Sequence, residues 1–482
     1  MFKLTPLTAA ILVIVSAQAL ADDSVSNQTQ LGDANIANVK QTLAPLSTAN
    51  QQQDGEGNDA ASVQDTATGA ISQNQVGSFN AGYAEQLFDS GSQIIQLQSG
   101  TFNGTHASQS IGLGASESLQ QQDGNGNFSL VYQDSQDGTS AKSFQQGDAN
   151  EIYIEQTVNG IANTATVTQL GNENYGAAEQ VTQNGGQITI DQTGDGNYAY
   201  GDQRNGIGGN VNINQAGNLN GTEVWQETQL ASQTAIRQQG DSNETVVDQS
   251  FGENNLTTVL QVGDLNAIYA DQFDSVGSTV ALYQQGTSNV HFTYQSGDSH
   301  VLTANSVGTG NTVLASNWKG EQKGGQFGSN QRATINQNGT NNTANFTQNG
   351  TSNLVTTNQN GTGNKTTISQ ADSYNELYFD QNGSDNILIS DQRGDLNLAM
   401  GSTTGDRNTS SFDQSGSSNR AYTEQQYGSD NLISVKQADT MNVAYVTQGG
   451  TGNTTSIDQS GMTQTATVQQ FGAANQATVL QQ

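Results

Sequence analysis

Cysteine is absent from the 482 residues, so no disulfide staples the fold and no thiolate is on hand to hold a metal. Proline occurs twice, as Pro6 and Pro45, and leaves almost the whole chain free of the residue that breaks a β-ladder. Basic residues are scarce: 13 Lys and Arg stand against 44 Asp and Glu, for a net charge of −31. That balance argues against nucleic acid or an anionic membrane as a direct partner, because both would repel the chain. Apolar residues make up 32% and charged residues 12%, against about 45–50% and about 25% in ordinary globular domains. Only one apolar run stands out, AAILVIV from Ala9 to Val15. It is too short to span a bilayer. With Lys3 before it and Ala19-Leu20-Ala21 after it, it reads as a secretory signal peptide over 1–21. The mature chain is then expected to start at Asp22, with no membrane span after signal removal.

Gln, Asn, Ser, Thr and Gly fill the remaining composition. Low hydrophobicity with high net charge suggests disorder, and a Gln/Asn bias suggests β aggregation. Periodicity overrides both. A skeleton Gln-x-Gly-x-x-Asn-x5-Gln recurs along the chain, as in QTGDGNYAYGDQ from Gln192 to Gln203. Its leading Gln falls at Gln30, Gln53, Gln75, Gln98, Gln122, Gln145, Gln169, Gln192, Gln215, Gln238, Gln261 and Gln284. Asn follows at Asn35, Asn58, Asn174 and Asn197, and the closing Gln at Gln41, Gln64, Gln180 and Gln203.

The spacing divides the mature chain into three stretches. Residues 22–295 repeat every 22–24 residues. The pattern blurs over 296–325, where Ser306 takes the leading position, Asn317 the closing one, and Trp318, Lys319 and Lys323 cluster; this is expected to be a degenerate segment or hinge. Residues 326–482 show a period of 11 or 22, through Gln337, Asn342, Gln348, Asn353 and Gln359, with Thr403 substituting once and a one-residue slip at Gln425-Gln426.

Between Asn and Gln the residues alternate with period 2, as in NEIYIEQ, where Ile152 and Ile154 share the face of Gln156. That is a half-buried strand. The Gly-containing link is turn chemistry. One strand–turn–strand–turn unit cannot bury its face alone, but stacked units can. The expected fold is all-β: a β-solenoid with two strands per rung and about twenty rungs, roughly 100 Å long at the usual strand spacing. A buried amide is costly unless paired, and Gln above Gln pairs each amide with the next. The regular spacing of Gln and Asn is therefore read as a structural ladder.

At Ser24-x5-Gln30-x-Gly32-x2-Asn35-x-Ala37-x3-Gln41 the chain resembles the repeat of the curlins, subunits of curli fibres on Gram-negative bacteria. The resemblance extends from about Ser24 to Gln482. It implies a secreted subunit that stacks as a curlin-like, cross-β solenoid and polymerises as a functional amyloid in biofilm matrix. It implies self as partner, with a curli-type nucleator, chaperone or outer-membrane exporter as further ones. Familiar curlins have a handful of repeats and a Gly-rich leading segment; here there are about twenty repeats, and Asp22-Asp23 runs almost directly into the first. Nucleator, fibre-forming adhesin and major subunit all fit the sequence.

No catalytic constellation emerges and no cofactor or metal is implied. His106, His291 and His300 fall in separate repeats, without an acid at ligand spacing. The position before the closing Gln is often acidic, at Glu85, Glu155, Glu179, Asp202, Asp248 and Asp271, with Trp225 interrupting the series. In a stack these carboxylates form a column. One reading is a solvated face. The other is a gatekeeper column that slows stacking until acid or divalent cations neutralise it. Outward Tyr153, Tyr198, Tyr200 and Tyr283 suit cross-strand packing or contact with sugars. Nothing at either end reads as a cap, so end-to-end polymerisation is the default. The alternative is a non-polymerising surface adhesin or carbohydrate-binding rod.

Overall fold

The computed structural model describes residues 23–112, 114–315 and 324–482. The signal-peptide segment and Asn317, Trp318, Lys319 and Lys323 lie outside the described residues. The chain forms 41 strands and no helix among the described residues. Strands alternate between two parallel sheets and wind as a β-solenoid of about 19 turns. β1 (Val25–Leu31) pairs in parallel with β3 (Thr48–Glu56), and β2 (Ile36–Thr42) with β4 (Asp59–Asp65). The register places Gln30 beside Gln53 and Gln41 beside Gln64.

Alternation decides which side chains enter the core. In β12 (Glu151–Thr157), Ile152, Ile154 and Gln156 are buried. The apolar core runs as one cluster from Val131 to Val468, built of single Ala, Val, Ile, Leu and Phe side chains stacked rung on rung. Below it lies a smaller cluster of only Ile71, Ala84, Ile94 and Ala107.

The irregular rung draws strands from before and after residues 316–323. β24 (Val290–Asp298) pairs first with β26 (Thr312–Ala315) and then with β27 (Gly325–Ser329), and both pair onward with β29 (Thr343–Thr351). The closing position of this rung is therefore held by Gln326, which accepts from Gln295 Nε2 at 2.7 Å and donates to Gln348 Oε1 at 2.9 Å. Counting at constant period points to Asn317, which lies outside the described residues; 31 residues separate Gln295 from Gln326. Ser306 does stand in the leading column, opposite Gln284 and Gln337. The shorter side chain leaves room that His291 fills from the other sheet, its Nε2 2.8 Å from Ser306 Oγ. Burial holds the His291 pKa down, to about 3, so the ring is neutral. The slip near Gln425 is a bulge in the pairing of Leu398–Asp406 with Arg420–Ser429, and it throws Tyr427 out to 86% exposure.

Candidate functional site: amide ladders and the acidic column

The ladders are built from the strand ends upward. In the leading column Gln30 Nε2 donates to Gln53 Oε1 at 2.7 Å, Gln169 to Gln192 at 2.9 Å, Gln192 to Gln215 at 2.9 Å, and Gln337 to Gln359 at 2.9 Å. In the closing column Gln41 donates to Gln64 at 2.9 Å, Gln180 to Gln203 at 2.9 Å, and Gln348 to Gln370 at 2.9 Å. The donor always sits on the earlier rung, so both columns are polar along the axis. Many of these Nε2 atoms also reach a carbonyl across the core, as Gln192 does to Tyr175 O at 3.0 Å and Gln169 to Glu151 O at 3.0 Å. There both amide hydrogens and the oxygen are used, which is what burial of an amide requires.

The Asn column runs the other way. Asn58 N donates to Asn35 Oδ1 at 3.0 Å, and Asn197 N to Asn174 Oδ1 at 2.9 Å. Each Nδ2 then holds a glycine carbonyl in the next turn: Asn35 that of Gly55 at 2.9 Å, Asn174 that of Gly194 at 2.7 Å, Asn197 that of Gly217 at 2.8 Å, Asn342 that of Gly361 at 3.1 Å. Asn353 belongs to the opposite corner, where its N–H donates to Gln331 Oε1 at 3.0 Å. In the early rungs that corner has no Asn. Ser47, Ser92, Ser116 and Thr139 take its place, with Ser47 Oγ donating to Ala67 O at 2.7 Å. Asn197→Ala is expected to cost about 2 kcal/mol, because Asn220 N and Gly217 O lose their partners in a buried turn. Exposed Asn172→Ala should cost about a quarter of that. Hydrogen exchange of the flanking rungs checks the pair, and equal losses would refute the role of the column.

A third ladder escaped the sequence reading. Gln28, Gln51, Gln73, Gln96 and Gln120 stand two residues before the leading Gln, and each donates to the next: 3.0, 2.8, 2.8 and 2.8 Å. From Gln51 onward they are at most 2% exposed. They occupy the place that Val and Ile fill in later rungs, which is why the early apolar cluster is small. The series ends where Gln120 Nε2 donates to Ser129 Oγ at 3.0 Å, and Ser129 meets Ser143 at 2.7 Å. The signal was present as Gln-x-Gln in NQTQLG, QQQDG and QNQVG, with the same spacing as the leading Gln.

The acidic residues do align. Glu155 lies beside Glu179, Glu179 beside Asp202, Asp202 beside Trp225, Trp225 beside Asp248, and Asp248 beside Asp271. Tyr132 and Tyr294 close the series, while Ser108 separates Glu85 from Tyr132. The column is not simply solvated. Asp202 is only 4% exposed: Arg204 spans it and Glu179, with Nε 2.7 Å from Asp202 and Nη2 2.8 Å from Glu179. Tyr200 donates to it at 3.2 Å, and Trp225 lies 6.2 Å from the Tyr200 ring. Burial raises the Asp202 pKa and Arg204 works against the rise. Burial also raises Asp248, whose carboxylate accepts from Ser250 Oγ. Asp271 is pushed up to about 7, first by burial and then by the charge of Asp248. Its Oδ1 is buried with no hydrogen-bond partner among the described residues.

Outward aromatics stack along the axis: Tyr175 on Tyr198 at 5.3 Å and Tyr422 on Tyr445 at 5.1 Å. Their ring faces are spent on each other, the geometry of cross-strand packing. The three histidines stay apart: His106 lies against Tyr83, His291 in the core, and His300 in a corner where its Nδ1 accepts from Gln331 N at 3.3 Å.

The curlin associated repeat matches at residues 144–171 and 411–438. The first holds Gln145, Gly147, Asn150 and Gln156, the second Gln414, Gly416, Asn419 and Gln425, the same skeleton in each. Curated proteins gave no match.

Proposed function

Because the chain carries curlin associated repeats on a β-solenoid, we propose that it is a secreted structural subunit that stacks end to end into extracellular curli-like amyloid fibres, serving adhesion and biofilm matrix at the surface of a Gram-negative bacterium. The observation that carries this reading is the continuity of the ladders into the outermost rungs. Among the described residues β1 and β2 pair on one side only, and Gln30 and Gln41 give their Nε2 to the next rung and leave their amide oxygens to the other side. At the far end β40 (Thr465–Ala473) and β41 (Gln476–Gln481) end the two sheets, with Gln470 and Gln481 receiving from below. A rung added at either edge meets the same backbone pattern and the same leading and closing glutamine columns that join internal pairs.

The repeats and the fold support a structural role rather than catalysis. Within this reading the Glu155–Asp271 column is a gatekeeper: its charges disfavour close approach until protons or divalent cations neutralise them. A nucleator, a chaperone and an outer-membrane exporter are the partners such a subunit requires. The purified chain from Asp22, followed by electron microscopy and fibre diffraction, is expected to form filaments with a meridional spacing of about 4.7–4.8 Å. Single rods that persist at high concentration would overturn the reading in favour of a non-polymerising adhesin.

A further inference from the structure

The two ends of the solenoid are not complementary at every position. Inward residues of the first rung are Ser26, Gln28 and Gln30 on β1, and Ala37, Val39 and Gln41 on β2, set by their pairing with Ala49, Gln51, Gln53, Ala60, Ser62 and Gln64. Inward residues of the last rung are Ala466, Val468 and Gln470 on β40, and Ala477, Val479 and Gln481 on β41. Stacking the last rung of one copy under the first rung of another pairs Gln470 with Gln30, Gln481 with Gln41 and Val479 with Val39. It also sets Val468 against Gln28.

Gln28 is the lower terminus of the third ladder. Its Nε2 is spent on Gln51 Oε1 at 3.0 Å and Ala37 O at 3.3 Å. Its Oε1 therefore turns to the open edge, where no donor reaches it among the described residues. A Val468 side chain from a second copy would bury that oxygen and offer it nothing, and a buried acceptor without a donor carries the full desolvation penalty. The chain's own interior shows what the site accepts: in four successive steps from Gln28 to Gln120, glutamine stands over glutamine. Where the column passes to the smaller Ser143, the hydroxyl of Ser129 from the opposite sheet accepts from the leftover Gln120 amide, and Ser143 in turn meets Ser129. Neither hydroxyl nor amide is available at Val468.

Resting on the stacking reading above, we infer that the N-terminal rung selects a partner β-solenoid whose end strand carries Gln-x-Gln, one glutamine under Gln28 and one under Gln30, over the C-terminal rung of this chain. Joining to a second copy is the weaker junction, and Gln28 is the residue that discriminates.

The test uses full-length mature chains tethered through the N-terminus, so that each presents only its C-terminal rung, with capture of labelled free chain read by fluorescence. The V468Q chain presents the two-glutamine edge. Labelled wild-type chain is expected to be captured at least about tenfold better by tethered V468Q than by tethered wild type, the factor that about 1.4 kcal/mol gives. Labelled Q28V chain should reverse the preference, since valine then meets valine on the wild-type edge. Both positions lie on terminal strands, and circular dichroism confirms that the variants fold. Equal capture of wild-type chain by both edges overturns the inference and leaves stacking intact. Capture by neither edge overturns the stacking reading and this inference together.

Discussion

Replacing Gly217 by valine is expected to destabilise the solenoid by about 4–6 kcal/mol, the range reached only when backbone and packing fail together. Gly217 sits at φ +124°, and a Cβ there would lie 2.0 Å from Gly240 O and 2.7 Å from Gly240 C in the next rung. Neither atom can retreat, because both belong to the backbone of a stacked turn. The strain of the dihedral alone is about 1–3 kcal/mol. The clash then separates two rungs, and Asn197 loses the carbonyl it holds at 2.8 Å. A contrasting site is Gly185, at φ +65° with nothing within 4 Å of a built Cβ. Asparagine tolerates that left-handed conformation, so Gly185→Asn should change stability by less than about 1 kcal/mol. Hydrogen exchange along the rungs separates the cases: Gly217→Val should expose strands on both sides of the break. Protection equal to wild type would refute the role given to the glycine column.

Acid should stabilise this protein, and Asp271 should carry much of the effect. An aspartate in an unfolded chain titrates near about 3.9, whereas burial and the charge of Asp248 push Asp271 up to about 7. Between those values the folded state holds a proton that the unfolded state has released. Stability therefore rises as pH falls from about 7 towards about 4, and is lost as pH rises through that window. Asp202 and Asp248 shift in the same direction and add to the slope. The full shift corresponds to about 4 kcal/mol; partial access to water reduces the expected gain of Asp271→Asn at pH 8 to about 2–3 kcal/mol. The substitution should also flatten the pH profile. Denaturant unfolding from pH 4.5 to pH 8 checks both, and an unchanged slope in Asp271→Asn would place the pH dependence elsewhere. Within the proposed function, the same protonation lowers the charge of the column that opposes assembly.

Much of this architecture follows from spacing alone. A side chain that recurs every 22–24 residues with strict period 2 around it defines a rung, two strands and an inward face. The Gln and Asn columns follow because buried amides must pair. Local pattern was enough for these features, since every rung repeats the same local problem.

Other features were set by neighbours far along the chain. That Asp202 is covered while Trp225 sits in its column depends on Arg204 reaching back to Glu179, a contact between rungs. The raised Asp271 carboxyl depends on what surrounds it rather than on its place in the repeat. Gln326 completes the irregular rung because hydrogen-bond register, not residue count, decides which strand closes it. The third ladder was legible as Gln-x-Gln in the first five rungs, yet its consequence, an amide oxygen at one end with no counterpart at the other, appears only when both terminal rungs are placed on one axis. The sequence by itself determined the rung, because alternation and amide pairing are local demands. Only the tertiary structure decided the burial of the charges and the mismatch of the two ends, because both are relations between rungs that the chain separates.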